Sequence, residues 1–194
     1  MALLRGLLWP VETWNDHILA IGRWISIVAI ALMVVAILIQ VFFRYVLNNA
    51  LPWPDEAARF LMLWMTGLMA PMAFRLGGFV AIDMLVEALP RQAGQILSLI
   101  LLAISAAVLG VALPIGLGEL TGFSAKFATA SLYLPASFGF DEWFRVPRWW
   151  MMMSLFVGVV LLFIVNIELL LRTLIQFLGG EVKPLGAEED VVSE

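Results

Sequence analysis

Asp55, Glu56 and Arg59 lie within five positions of the stretch Leu51-Pro52-Trp53-Pro54-Asp55-Glu56-Ala57-Ala58-Arg59 and are the residues best placed to do chemistry in this chain. On a helix their spacings of three and four put both carboxylates and the guanidinium on one face. Groups paired in this way hold elements together. A carboxylate that relays protons or ions sits instead within an apolar span. Arg44, ending the preceding apolar run, emerges on the same side and can pair with either acid. Beyond the next apolar run, Arg75, Asp83, Glu87 and Arg91 form a second set. Charges therefore cluster at both ends of the uncharged segment Phe60 to Phe74, and none lies inside it. The pattern suits a helix held by its neighbours or by a partner protein. Simple anchoring of helix ends at the membrane surface would use the same residues.

The elements that must position these groups are membrane spans. The chain is 63% hydrophobic and 13% charged over 194 residues. That is the composition of an integral membrane protein, not of a globular enzyme. Uncharged runs extend from Trp24 to Phe43, Ile96 to Gly118 and Trp149 to Ile167, each near the roughly 20 residues that cross about 30 Å of hydrocarbon. The run from Phe60 to Phe74 covers only about 22 Å at 1.5 Å per residue. It must take length from Pro54–Arg59 and Arg75–Gly77, with the arginines snorkelling to the interface. The expected fold is an all-α integral membrane protein, one domain over 1–178, with spans near 24–46, 56–77, 94–118 and 148–171.

Short interfacial amphipathic helices are expected beside the spans. Leu3, Leu7, Val11, Trp14 and Ile18 recur at three- and four-residue steps, while Glu12, Asn15 and Asp16 are polar. This predicts a segment over about 3–20 lying along the membrane before the first span. Phe79, Ile82, Val86 and Leu89, after the breaker Gly77-Gly78 and before Pro90, predict a second one over about 79–89. The N-terminus lacks a small-residue cleavage site and reads as part of the mature chain. The loop from Glu119 to Arg148 carries Phe123, Phe127, Tyr133, Phe138, Phe140, Trp143 and Phe144. These rings suit an aromatic belt at headgroup depth, or a docking surface for another protein. Both readings stay open.

Charge bias does not orient the chain: six basic residues fall on the side of the termini and five on the other. The N-terminal tail and each loop balance acids against bases, so the net charge of −4 resides in the segment from Glu168 to Glu194. Residues 179–194, with Glu188, Glu189, Asp190 and Glu194 following Gly179-Gly180 and Pro184, read as an acidic disordered tail.

No acid, base or histidine interrupts the four uncharged runs, and His17 is the single histidine. This gives no proton relay, no ion site and no bis-histidine haem within the bilayer. There is no cysteine, and no P-loop, nucleophile elbow or metal-ligand cluster. Hence no catalytic, cofactor or metal residue is assigned, no enzyme activity is expected, and no nucleic-acid partner is implied. Gln40 and Asn166 are the span residues expected to hydrogen-bond between helices. Pro71 and Pro114 are expected to kink or end theirs.

A family resemblance rests on Arg44-Tyr45 closing the first span, Trp53-x-Asp55-Glu56-x-x-Arg59 opening the second, Trp64 within it, and Arg75-x-Gly77-x-x-Val80-x-x-Asp83 after it. With four spans in a chain of this length, the sequence resembles the small membrane (Q) subunit of tripartite ATP-independent periplasmic, or TRAP, transporters. Phe79 departs from the polar residue, commonly histidine, that the family often has before the valine. The resemblance implies a subunit without substrate or sodium site in a bacterial inner membrane, both termini cytoplasmic. Its implied partners are a large multi-span membrane subunit and, transiently, a periplasmic substrate-binding protein. The large subunit would carry organic acids inward by a sodium-coupled elevator motion, and the small one would brace it, with docking of the binding protein a further role open to it. Arg44, Asp55, Glu56, Arg59, Trp64, Arg75 and Asp83 are then the candidate contacts between helices or subunits. The rival readings are a self-sufficient small oligomeric carrier or channel, and a membrane anchor for an unrelated complex.

Overall fold

A helix is the one way an isolated apolar segment satisfies its own backbone in lipid, and four long helices account for most of this chain. The computed structural model describes residues 2–77, 89–135, 143–180, 182 and 185. Helix α1 is Ala2–Tyr45, α2 Trp53–Arg75, α3 Arg91–Thr121 and α4 Trp149–Phe177. All four contain segments long and apolar enough to cross a membrane. Between α3 and α4 lie a 3₁₀ turn, Phe123–Lys126, and two strands, β1 (Ala128–Pro135) and β2 (Trp143–Pro147). The interfacial helix expected over 79–89 falls, up to residue 88, outside the described residues, and Asp83 with it. Of the expected tail, only 179, 180, 182 and 185 are described.

Helix α2 gains its length as the short uncharged run requires. It starts at Trp53, with Pro54 in the first turn where a missing N–H costs nothing, and with Asp55 and Glu56 beside the positive helix end. Its 23 residues reach about 34 Å. It stops at Arg75, and Gly77 then adopts φ +78°, the left-handed conformation that commonly ends helices at glycine.

Helix α4 is the centre of the bundle, packing against α1, α2 and α3, while α1 packs on α2 and α3 chiefly on α4. Its buried residues Ser154, Gly158, Leu161, Val165, Glu168, Arg172 and Ile175 repeat at three- and four-residue steps, which is one continuous seam. Where α4 crosses α2, Gly158 meets Gly67: a Cβ on Gly158 would lie 2.9 Å from the Gly67 Cα and carbonyl oxygen. Ser154 and Gly158 form the small-xxx-small spacing that permits such backbone approach.

The N-terminal segment departs from expectation. Residues 2–20 are not a separate interfacial helix but the first part of α1, continuous through Pro10 to Tyr45. Asn15 turns inward and is buried, whereas Leu7 and Trp14 are exposed. The buried positions Leu8, Asn15, Leu19, Ser26, Ala29, Ala36 and Gln40 form one stripe along the whole helix.

The long third loop also holds regular structure. Strands β1 and β2 pair antiparallel, with Tyr133 opposite Arg145 and an irregularity between Ala128 and Tyr133. Thr129 Oγ1 donates to the Val146 carbonyl (2.7 Å), and both residues are buried, as is Leu132. The Arg148 N–H closes the hairpin on the Phe127 carbonyl.

Candidate functional site

Two polar layers cap the bundle, one at each end of α2. Glu56 to Arg75 on α2, and Trp149 to Glu168 on α4, each span nineteen steps, about 28 Å of helix, close to the thickness of bilayer hydrocarbon.

At the hairpin end, the Glu56 carboxylate accepts the backbone N–H of Ala130 (2.9 Å), the N–H of Ser131 and the Ser131 hydroxyl (2.6 Å). Ser131 Oγ also lies 2.9 Å from the Pro52 carbonyl. The strand irregularity causes this arrangement. It takes Ala130 and Ser131 out of register with β2 and leaves their N–H groups for a charged acceptor, whose hydrogen bonds are about twice as strong as neutral ones. Glu56 thus ties the hairpin to the start of α2. Glu56→Ala is expected to loosen the hairpin, seen as faster amide exchange at Ala130 and Ser131, while the four helices still insert.

Asp55 accepts a hydrogen bond from Gln40 Nε2 (3.3 Å), linking α2 to α1. Gln40 therefore makes the inter-helix contact expected of it; its Oε1 is buried without a partner among the described residues. Arg44 sits over the Tyr45 ring at 5.9 Å, and Arg59 is exposed. Among the described residues neither makes a salt bridge to Asp55 or Glu56. Trp64 packs beside Phe60, with ring centroids 6.4 Å apart, and its Nε1 is buried without an acceptor among the described residues.

The opposite layer is more deeply buried. Glu168, fully buried, accepts from Asn15 Nδ2 (2.6 Å), from Arg75 Nε and Nη2 (3.2 and 2.8 Å), and from Arg172 Nε (2.8 Å). Arg75 extends to Asp16 and Arg172 to Glu12. Three helices meet on one carboxylate, with α1 giving Glu12, Asn15 and Asp16, α2 giving Arg75, and α4 giving Glu168 and Arg172. A buried carboxylate is costly unless paired and hydrogen-bonded, and here Glu168 is both. Such a network fixes the helices in position. Among the described residues no group of His, Asp and Glu could hold a metal.

Sequence reading placed Arg75 in a helix-end cluster with Asp83 and Glu87, which lie outside the described residues. The structure brings Arg75 to Asp16 and Glu168 instead. Glu168 and Arg172 were read only as flanking charges. Their i,i+4 spacing, on the seam of Ser154 and Gly158, was the available signal, matched by the spacing of Glu12, Asn15 and Asp16. Asn166, fully buried, has no hydrogen-bond partner for either side-chain atom among the described residues, against expectation.

Residues 33–176 match the family model described as "Tripartite ATP-independent periplasmic transporters, DctQ component". The chain belongs to this family. It is accordingly a component of a TRAP transporter with the architecture of a four-span small subunit. The DctQ match covers Gln40, Glu56, Arg75, Glu168 and Arg172 but not Glu12, Asn15 and Asp16, so the buried cluster joins family-region residues to an N-terminal extension of α1. No curated protein and no solved structure matches this DctQ-family chain.

Proposed function

We propose that this DctQ-family chain is a stationary brace for the large elevator-type subunit of a sodium-coupled TRAP transporter in a bacterial inner membrane, serving organic-acid uptake. The observation that carries the reading is the Glu168 cluster: the charges buried in the bundle are paired across three helices, an arrangement for rigidity rather than for passage of ions. Exposed apolar side chains along α1 and α3, such as Leu32, Leu38, Ile104 and Val111, supply surface for lipid and for the large subunit. With both termini cytoplasmic, the Glu56 layer and the hairpin face the periplasm. There the exposed Phe123, Tyr133, Phe144 and Arg145 offer a contact for the binding protein. Asp55, Glu56 and Arg75 serve as internal fasteners, Trp64 as packing, Asp83 as a fastener of the segment after α2, and Arg44 and Arg59 as contacts outside the chain.

The test is purification of the tagged chain, mildly solubilised from its native membrane, with mass spectrometry of its companions. The expected result is a stoichiometric subunit of roughly a dozen spans, each of the length a bilayer sets. Recovery of the chain alone, or as a homo-oligomer transporting by itself in liposomes, overturns the brace reading. In the same complex Glu56→Ala is expected to lower uptake while the chain remains in the membrane. Normal uptake and subunit recovery would remove Glu56 from the proposal.

A further inference from the structure

Strands β1 and β2 set Tyr133 directly opposite Arg145, and residues so opposed share one face of the pair. Side chains alternate along a strand. The sequence neighbours Leu132 and Val146 are buried, while Tyr133 and Arg145 are exposed, so theirs is the outer face. Arg145 Nε donates to the Tyr133 hydroxyl oxygen at 2.6 Å, and the guanidinium carbon lies 5.1 Å from the Tyr133 ring centroid. One donor of the guanidinium is thus spent on holding the side chain in place. Nη1 and Nη2 have no hydrogen bond or ion pair among the described residues. A freely rotating arginine must be ordered when it binds; Tyr133 has ordered this one beforehand.

From this arrangement we infer that Arg145, held by Tyr133, reads one carboxylate of the periplasmic binding protein, an assignment that rests on the hairpin being that protein's contact. The carboxylate is an Asp or Glu side chain taken end-on across Nη1 and Nη2. Two free N–H groups in one rigid plane match its two oxygens. The Tyr133 hydroxyl, accepting from Nε, keeps its own hydrogen for a further acceptor. Charge selects an acid as well. The exposed charges among the described residues between 119 and 148 are Lys126, Arg145 and Arg148 against Glu119, while Glu56 is taken up by Ala130 and Ser131. A surplus of positive charge steers an acidic surface toward the hairpin and repels a basic one. Arginine and tyrosine are also the side chains on which binding energy concentrates at protein contacts.

The experiment measures the Kd of the transporter's own binding protein, loaded with substrate, for the intact transporter complex in lipid nanodiscs at low salt. A photo-crosslinker at the exposed Ala130, three residues from Tyr133 on β1, reports what meets the hairpin. The expected crosslink is to the binding protein. Arg145→Gln is expected to weaken binding at least about tenfold. Arg145→Lys, which keeps the charge but not the fork, should lose less, and so should Tyr133→Phe, which keeps the ring but frees the guanidinium. Binding by Arg145→Glu should be restored by exchanging one acidic residue of the binding protein for arginine. A crosslink to the binding protein together with unchanged affinity in Arg145→Gln overturns the carboxylate assignment and leaves the docking reading standing. Failure of every such exchange to restore Arg145→Glu overturns the assignment too. No crosslink to the binding protein overturns both, and a crosslink to phospholipid instead gives the guanidinium to a lipid phosphate.

Discussion

Glu168→Ala is expected to be the most damaging single substitution in this chain, costing about 3–5 kcal/mol of bundle stability. That range is what removal of one partner from a buried ion pair typically costs, because the other partner stays buried and uncompensated. Here two guanidiniums are affected. Each would lose its bond to the central carboxylate, Arg75 being left with Asp16 and Arg172 with Glu12 among their partners, while the Asn15 side chain would lose its acceptor. The damage should appear at the α1 end first, since Asn15 reaches α4 through this carboxylate. Urea-induced unfolding in mild detergent measures the loss, and amide exchange over residues 8–19 locates it. Glu168→Gln keeps the shape and one acceptor oxygen, so its cost should be smaller. Equal stability of Glu168→Ala and wild type would mean that the cluster does not hold the helices together.

Gly158→Leu is expected to come next, because it attacks backbone packing where nothing can yield. A Cβ at Gly158 falls 2.9 Å from backbone atoms of Gly67, and one at Gly67 falls 2.5 Å from the Ser154 carbonyl oxygen. Real Cβ atoms do not sit so close to backbone, so α2 and α4 must separate. Overpacking of this kind costs about 1–3 kcal/mol and more where backbone must move. Separation would also pull Arg75 away from Glu168 two to three turns further along, coupling this defect to the first. The double variant Gly158→Leu/Glu168→Ala should therefore lose less than the sum of the two. Gly110→Ala is the control. A Cβ there meets nothing within 4 Å, so exchanging a helical glycine for alanine should stabilise by about 0.5–1 kcal/mol. Thermal unfolding of wild type, the two single variants, the double variant and Gly110→Ala side by side decides the matter.

The membrane class, the number of spans and the need of α2 to borrow length at its N-terminal end were all legible in the sequence. Each follows from one-dimensional quantities, namely run length against bilayer thickness and the capping chemistry of Pro54, Asp55 and Glu56. The DctQ family was legible for a similar reason, since its motifs lie close together around a single helix. Glu56 could be singled out by type and position, but its partners could not. They are backbone N–H groups of Ala130 and Ser131, and any residue has an N–H; a strand irregularity, not a side chain, selected these two.

What tertiary structure alone decided is which charges meet. Arg75 had acids nearby in sequence, yet its partners Asp16 and Glu168 lie 59 and 93 positions away. Sequence reading also took residues 3–20 for an interfacial segment lying along the membrane before the first span. The structure instead runs α1 unbroken from Ala2 to Tyr45, buries Asn15 and pairs Glu12 and Asp16 with the arginines of α4 and α2. The sequence by itself determined how many helices cross and where their charges stop. Only the packing of those helices, brought into contact by Gly67 and Gly158, determined that Glu168 would be the residue on which three of them converge, because a buried carboxylate is tolerated only where several donors from different helices reach it at once.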